Sequence, residues 1–80
     1  NDKNYKDILL RFYQKKGWQH PKYTMDKTEG PSHHRIFTMA VADSKGRVIG
    51  RGTAHSKKKA EQEASRKALV HFGIIKRKFL

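Results

Sequence analysis

Residues 55–69, HSKKKAEQEASRKAL, predict a helix that begins with an unusual concentration of positive charge. Ser56 is a typical N-cap, because its hydroxyl can accept a hydrogen bond from a first-turn N–H group. Lys57, Lys58 and Lys59 follow it. They lie at the end of the helix where the macrodipole disfavours a cation by about 0.3–1 kcal/mol. The triplet therefore indicates either a solvated helix end or a binding site for an anion.

The opposite face of this predicted helix, which we expect to run from Lys57 to Phe72, is small and apolar. Its alanines recur at every fourth position, and Leu69 and Phe72 continue the stripe. A stripe of small residues allows a helix to pack closely on a sheet. Gly73 is a suitable C′ residue, with Ile74 and Ile75 as the apolar contact that often follows it.

A second helix is predicted over residues 4–16, before the strands. Asn4 is a plausible N-cap and Gly17 is a suitable residue for the helix to end on. The apolar residues recur with helical spacing and form one stripe. The members of this stripe are Tyr5, Ile8, Leu9 and Phe12. Trp18 is expected to cover the end of the core.

Between the helices, residues 21–27, 35–43 and 46–54 alternate in polarity and predict three strands. Gly50 and Gly52 lie inside the third strand, which indicates a bulge or a closely packed backbone. The order α-β-β-β-α with short connections predicts an α+β fold, in which two helices cover one face of a three-stranded antiparallel sheet. The side chains predicted to face the helices are Tyr23, Met25, Phe37, Met39 and Val41.

The composition predicts one small domain with a polyanionic partner. The 80 residues include 19 Lys and Arg against seven Asp and Glu, for a net charge of +12. Such an excess favours binding to nucleic acid or to an anionic membrane surface. The chain has no cysteine, which excludes disulfides and thiolate metal sites. We expect an intracellular location, in the cytoplasm or the nucleus.

Several other functions are poorly supported by the sequence. The carboxylates are scattered and the histidines lack metal-ligand spacing, so we expect no catalytic residue, metal, cofactor or small-molecule substrate. No apolar run approaches the roughly 20 residues that cross a bilayer, and an alanine face is weak for membrane insertion. A single-strand reader would need aromatic residues on an open sheet face, and a helix-turn-helix would need more helix in the middle of the chain.

Two further segments carry candidate contact residues. In the loop GPSHH, Gly30 and Pro31 predict a tight turn that presents Ser32, His33 and His34. A histidine and backbone carbonyls suit ribose hydroxyls, which both donate and accept hydrogen bonds. On the first helix, the face away from the apolar stripe carries Asp7, Leu10, Arg11 and Gln14.

These segments together resemble the double-stranded-RNA-binding domain over residues 4–72. The matching stretches are GWQHPKYT at 17–24, EGPSHHRIFTM at 29–39 and GRGTAHSKKKAEQEASRKAL at 50–69. The resemblance implies three contacts on one face of A-form RNA, with a footprint of about 16 bp that is read by shape and by 2′-hydroxyls. The first helix and the GPSHH loop would each enter a minor groove. The lysine triplet would bind phosphates across the major groove between them.

The resemblance assigns a ribose contact to His33 and phosphate contacts to Lys57 and Lys58, with Lys59 contributing charge. The predicted RNA-binding residues are Asp7, Leu10, Arg11, Pro31, Ser32, His33, His55, Lys57, Lys58 and Lys59. The chain departs from the family pattern at Leu10 and Arg11, where Gln-Glu is common, and at Glu61, where a third lysine is frequent. The form SKKxAEQ is similar to domains attached to ribonuclease III enzymes.

The predicted organisation is an N-terminal flank at 1–3, the RNA-binding domain at 4–73 and a basic tail at 74–80. The resemblance also leaves room for additional domains of a parent protein. An alternative function is protein–protein interaction or dimerisation on the same fold. The apolar candidates for that alternative are Leu10, Ile74, Ile75, Phe79 and Leu80.

Overall fold

The computed structural model describes residues 4–77 and contains two helices and three strands. The elements are α1 (Tyr5–Lys16), β1 (Lys22–Glu29), a 3-10 turn (Ser32–His34), β2 (Ile36–Ala42), β3 (Val48–Ala54) and α2 (Lys57–His71). The strands form one antiparallel sheet in the order β1-β2-β3. The predicted architecture is confirmed. Phe79 and Leu80, two of the predicted apolar candidates, and the flank at 1–3 lie outside the described residues.

Both helices begin as predicted and α1 ends as predicted, whereas α2 ends at His71, one residue before the predicted Phe72. The Asn4 side chain accepts a hydrogen bond from Asp7 N at 3.0 Å, and Gly17 ends α1 in the left-handed conformation with φ of 77°. The Ser56 hydroxyl accepts from Lys59 N at 3.1 Å at the start of α2. Each cap satisfies a backbone group that the helix itself leaves without a partner.

The core lies between α2, α1 and the sheet. Its fully buried members are Leu9, Tyr13, Val41, Ala64, Ala68 and Leu69. Tyr13, which was not predicted as a core residue, lies one turn after Leu9 and is 1% exposed. Its hydroxyl donates to Ala42 O at 2.7 Å, so the polar end of the ring is satisfied although the ring is buried.

One residue that was predicted to face the helices is exposed, and two others, Tyr23 and Phe37, are only partly buried. Met25 is 39% exposed, whereas its partner in the sheet register, Met39, is buried. The difference arises because β1 is an edge strand, while α2 packs on β3 and β2. The alternation of polarity identifies the face of a strand but not how far the covering helix extends over it.

The two glycines of β3 allow α2 to lie directly on the sheet. A Cβ atom at Gly50 would overlap the carbonyl of Ala64 and lie 2.9 Å from Ala68 N. A Cβ atom at Gly52 would overlap the backbone of Ala60 and Ala64. The close approach predicted from the sequence is therefore confirmed, and it holds the start of α2 at a fixed height above the sheet.

The uncovered face of the sheet is polar. Arg51 on β3 binds Asp26 on β1 with 2.9 Å between Nε and Oδ2, so the ion pair crosses the central strand. Thr38 and Thr53 share a hydrogen bond of 3.1 Å. Trp18 packs edge-on against Phe12 and Tyr13. It therefore covers one end of the core, as predicted.

Candidate nucleic-acid interface

The GPSHH loop and the start of α2 lie at the same end of the sheet. The antiparallel order places the end of β1, the start of β2 and the end of β3 together. The ring centroids of His34, in the loop, and His55, just before α2, are 5.5 Å apart. Two of the three predicted contact regions are thereby in direct contact.

At the start of α2, the three lysines are exposed. The ion pairs among residues 4–77 are Lys6–Glu61, Asp7–Arg11, Lys27–Glu29, Asp43–Arg47, Asp26–Arg51 and Glu63–Arg66. None of these pairs includes a lysine of the triplet. Lys57 Nζ lies 5.9 Å from the ring centroid of Phe37. The helix therefore presents its cations to solvent at its positive end.

Glu61 does not form an ion pair with Lys57, although the two residues are one helical turn apart. Its carboxylate instead binds Lys6 Nζ, on α1, at 2.5 Å. Glu63 holds Arg66 through both carboxylate oxygens, and this pairing raises the pKa of Arg66. The two acids nearest the triplet thus make ion pairs with other cations.

The loop has a defined shape. Gly30 adopts a φ of 87°, and a Cβ atom there would lie 2.7 Å from His34 O. His34 N donates to Pro31 O at 2.8 Å and closes the 3-10 turn. Ser32 and His33 are exposed at its tip. Glycine is therefore required at position 30 both for its left-handed backbone and for space.

The outer face of α1 adjoins the lysine triplet. Leu10 is half-buried and, with Asp7, lines a cleft of about 410 Å³ whose other wall includes Lys58 and His20. Arg11 is exposed and its Nε lies 3.1 Å from Asp7 Oδ2. The cleft brings Asp7 and Leu10 beside Lys58 at the start of α2.

The structure therefore places the predicted residues in two groups that adjoin at the start of α2. The loop, His55 and Lys57 form the first group, and α1 with Lys58 forms the second. Sequence reasoning gave no role to Lys6 and Gln62, which lie between the two helices. Their partners are on another helix, so no local pattern could have identified them.

The β2–β3 turn lies at the opposite end of the sheet. Asp43 accepts hydrogen bonds there from the backbone N–H groups of Lys45 and Arg47 and from Arg47 Nε. These hydrogen bonds hold the pKa of Asp43 below its usual value, and the bond from the Arg47 backbone N–H has the largest effect. Lys22 and Lys45 are exposed at this end, where they provide a basic surface for comparison.

Residues 4–77 contain neither a cluster of metal ligands nor a membrane-spanning helix. No group of three or more histidines and carboxylates in this part of the chain could hold a metal ion. No helix of the described region is long and apolar enough to cross a membrane.

Comparison with known proteins identifies the family. The model of the double-stranded RNA binding motif matches residues 5–71. The chain is 51% identical over 72 residues to a protein named probable ribonuclease 3 from Acanthamoeba polyphaga mimivirus, with 90% of this chain and 13% of that protein covered. It is 42% identical over 69 residues to ribonuclease 3 from Pelotomaculum thermopropionicum, covering 86% and 28%. The chain thus spans only a small part of these relatives.

Solved structures agree with the fold. The two double-stranded-RNA-binding domains of DRB4 with their linker match with a TM-score of 0.67 and 34% identity, over 91% of this chain and 46% of that one. Dicer from Pichia stipitis matches with a TM-score of 0.65 and 27% identity, over 94% and 33%. This segment is a binding domain rather than a catalytic one. The chain belongs to the double-stranded RNA binding motif family.

Proposed function

We propose that this domain binds double-stranded RNA through the end of the molecule that carries the GPSHH loop and the start of α2, with α1 as a third contact. The observation that carries the proposal is the exposed triplet Lys57–Lys59 at a helix N-terminus, outside every ion pair formed among residues 4–77. An anion bound there would be stabilised by the lysine charges, the helix dipole and the first-turn N–H groups.

Phosphate binding is the role of the triplet. Lys57 and Lys58 bind phosphates on either side of the major groove, and Lys59 adds to the local positive potential. Binding of this kind releases counterions from the RNA and does not depend on base sequence. The tight packing of α2 on Gly50 and Gly52 supports the proposal, because a rigid base keeps the lysines at a fixed spacing.

Ribose recognition is the role of the loop. Pro31 and Ser32 present exposed backbone and hydroxyl groups, and the exposed His33 ring contacts a 2′-hydroxyl in the minor groove. His55 supports this loop through its contact with the His34 ring. A 2′-hydroxyl contact would distinguish RNA from DNA, whereas phosphate contacts alone would not.

The first helix supplies the third contact, in the preceding minor groove. Arg11 offers guanidinium donors, held in orientation by Asp7, and Leu10 offers an apolar contact beside Lys58. Arginine donors suit phosphate oxygens and the acceptors on base edges. Asp7 offsets part of the charge of Arg11 and remains an acceptor for ribose hydroxyls.

The parent protein that we propose is a ribonuclease III enzyme. The relatives of this chain in mimivirus and Pelotomaculum are named probable ribonuclease 3 and ribonuclease 3, and the chain covers 13% and 28% of their lengths. In such a parent, the domain would hold the duplex while a separate catalytic domain cleaves it. A full-length coding sequence without a nuclease domain would contradict this part of the proposal.

The direct test is a binding titration at physiological salt with three ligands. These are a blunt RNA duplex of about 20–25 bp, longer than the footprint of about 16 bp, the same sequence as a DNA duplex, and one RNA strand alone. We expect clear preference for duplex RNA. The double variant Lys57→Ala/Lys58→Ala should lose most of that affinity and keep its thermal melting temperature, because both side chains are exposed.

The matched control is Lys22→Ala/Lys45→Ala, which removes the same charge from the opposite end of the sheet. This control should bind RNA nearly as well as the unmodified domain. Equal losses in both double variants would mean that only net charge matters. Equal binding to all three ligands would exclude ribose recognition.

A further inference from the structure

We propose that RNA binding by this domain is coupled to proton uptake by the His34–His55 pair, an inference that rests on the proposed function. The two rings lie 5.5 Å apart, with their planes at 44°, at the junction of the loop and the start of α2. The His33 ring, assigned to the ribose contact, lies 6.2 Å from that of His34. Three imidazoles therefore stand side by side on the proposed RNA-binding surface.

The hydrogen bond of His55 identifies which nitrogen is available for a proton. His55 Nδ1 lies 3.2 Å from Arg35 O. A carbonyl can only accept, so Nδ1 carries the hydrogen and Nε2 is the basic nitrogen. His34 Nδ1 stands in the same relation to His33 O, at a longer 3.4 Å. Protonation at Nε2 converts each ring into a donor at both nitrogens without breaking these contacts.

The charged residues that flank the pair in sequence are mainly cations. The nearest cations in the sequence are Arg35 beside His34 and Lys57 and Lys58 after His55, and the nearest carboxylate is Glu29 at the end of β1. Lys57 is exposed near Phe37, and Glu29 is paired with Lys27 at 3.4 Å. None of the ion pairs formed among residues 4–77 includes a histidine.

Within that described part of the chain, neither ring is therefore paired with a carboxylate. RNA phosphates would supply an anionic acceptor for the protonated rings, because an imidazolium Nε2–H can donate to a phosphate oxygen. The proton comes from the solvent, and no other bond is formed or broken. By linkage, the association constant then rises as the pH falls through the range in which histidine titrates.

The test measures duplex RNA affinity between about pH 6 and pH 8, where histidine is the side chain that changes charge. The duplex carries 5′-hydroxyl ends, because a terminal phosphate titrates in the same range. If one proton is taken up in full, affinity rises up to about tenfold per pH unit. Calorimetric titrations in two buffers of different ionisation enthalpy count the protons directly.

The variant His34→Gln/His55→Gln should bind RNA with little dependence on pH, since glutamine can donate to Arg35 O but does not titrate. The matched control is His71→Gln. His71 is exposed at the last turn of α2, about 20 Å along the helix from Lys57, and its loss should leave the proton count unchanged.

Two results would overturn the inference: an unmodified domain that takes up no proton on binding, or a pH dependence that persists in His34→Gln/His55→Gln. Both are distinct from failure of the proposed function, in which the duplex does not bind preferentially at any pH. Thermal melts of the variants confirm that a changed profile does not reflect unfolding.

Discussion

Gln62, on α2, caps the N-terminus of α1 by accepting a hydrogen bond from Tyr5 N at 2.8 Å. The same oxygen accepts from Lys6 N at 3.2 Å, and Gln62 Nε2 donates to Asn4 Oδ1 at 3.0 Å. One side chain therefore serves first-turn N–H groups that α1 cannot satisfy itself. This bond also fixes α1, with its candidate RNA contacts, against the helix that carries the lysine triplet.

Replacing Gln62 by alanine should lower the free energy of unfolding by about 1–2 kcal/mol, as for loss of a helix cap. Urea denaturation measures the change. Gln14→Ala is the control, because Gln14 is exposed on α1 and should change stability by less than about 0.5 kcal/mol. If Gln62→Ala lowers the free energy of unfolding no more than Gln14→Ala does, the proposed role of the Gln62 cap is wrong.

Gly50→Ala should destabilise the domain by about 1–3 kcal/mol, the usual range for overpacking. A Cβ atom at this position meets the backbone of Ala64 and Ala68, and helix backbone cannot move aside as a side chain can. Val48→Ala, in the same strand and 44% exposed, should cost less than about 1 kcal/mol. Thermal or urea unfolding of both variants measures the two losses. Equal losses would mean that β3 is sensitive to substitution in general, rather than to close packing at Gly50.

Gly30→Ala should weaken duplex RNA binding several-fold, because the new Cβ atom would displace the 3-10 turn that presents His33. Gly46→Ala is a closely matched control. Gly46 has a φ of 86°, but a Cβ atom added there would meet no atom within 4 Å, and its turn is at the opposite end of the sheet. Both substitutions thus place an alanine at a left-handed φ, but only the one at Gly30 also creates an overlap with the loop. Only Gly30→Ala should therefore change RNA affinity when both variants are folded.

The affinity for duplex RNA should fall steeply as salt is added. If roughly four to six phosphates are neutralised, the logarithm of the association constant falls with the logarithm of salt at a slope of several units. Lys57→Ala/Lys58→Ala should reduce that slope by about two, since each phosphate contact contributes roughly 0.9. Titrations at four salt concentrations give the slope, and an unchanged value in the variant would remove Lys57 and Lys58 from the contact.

Alkaline pH should destabilise the fold through Tyr13. Burial, with a smaller effect of the Asp43 carboxylate, raises the pKa of Tyr13 to about 12. The unfolded chain loses this proton near pH 10, so it binds fewer protons than the folded state above that pH. The stabilisation is complete below pH 10 and is lost as the pH rises towards 12, by an amount on the order of 2 kcal/mol.

Urea unfolding at several alkaline pH values measures this loss. Tyr13→Phe removes the titrating group together with its hydrogen bond to Ala42 O. The variant should be less stable at neutral pH and should lose less stability as the pH rises. The slope does not vanish entirely, because burial also raises the pKa of Tyr23. An identical pH dependence in the variant would contradict the assignment to Tyr13.

The amino-acid sequence by itself determined the features that depend on neighbours along the chain. The caps at Asn4, Gly17 and Ser56 follow from local hydrogen bonds and backbone freedom, and all three are confirmed. The lysine triplet and its position at a helix end also follow from local pattern. The family could be identified for the same reason, because its motifs are short stretches at a set spacing.

Only the tertiary structure decided which distant residues meet. Tyr5 and Gln62 are 57 positions apart, and no periodicity relates them. The alternation of β1 suggested a buried Met25, but its exposure depends on which strands α2 covers. The contact of His34 with His55 likewise requires two strands to return the chain to one end. Local pattern reports which face of an element is apolar, whereas contacts between elements depend on how all of them pack together.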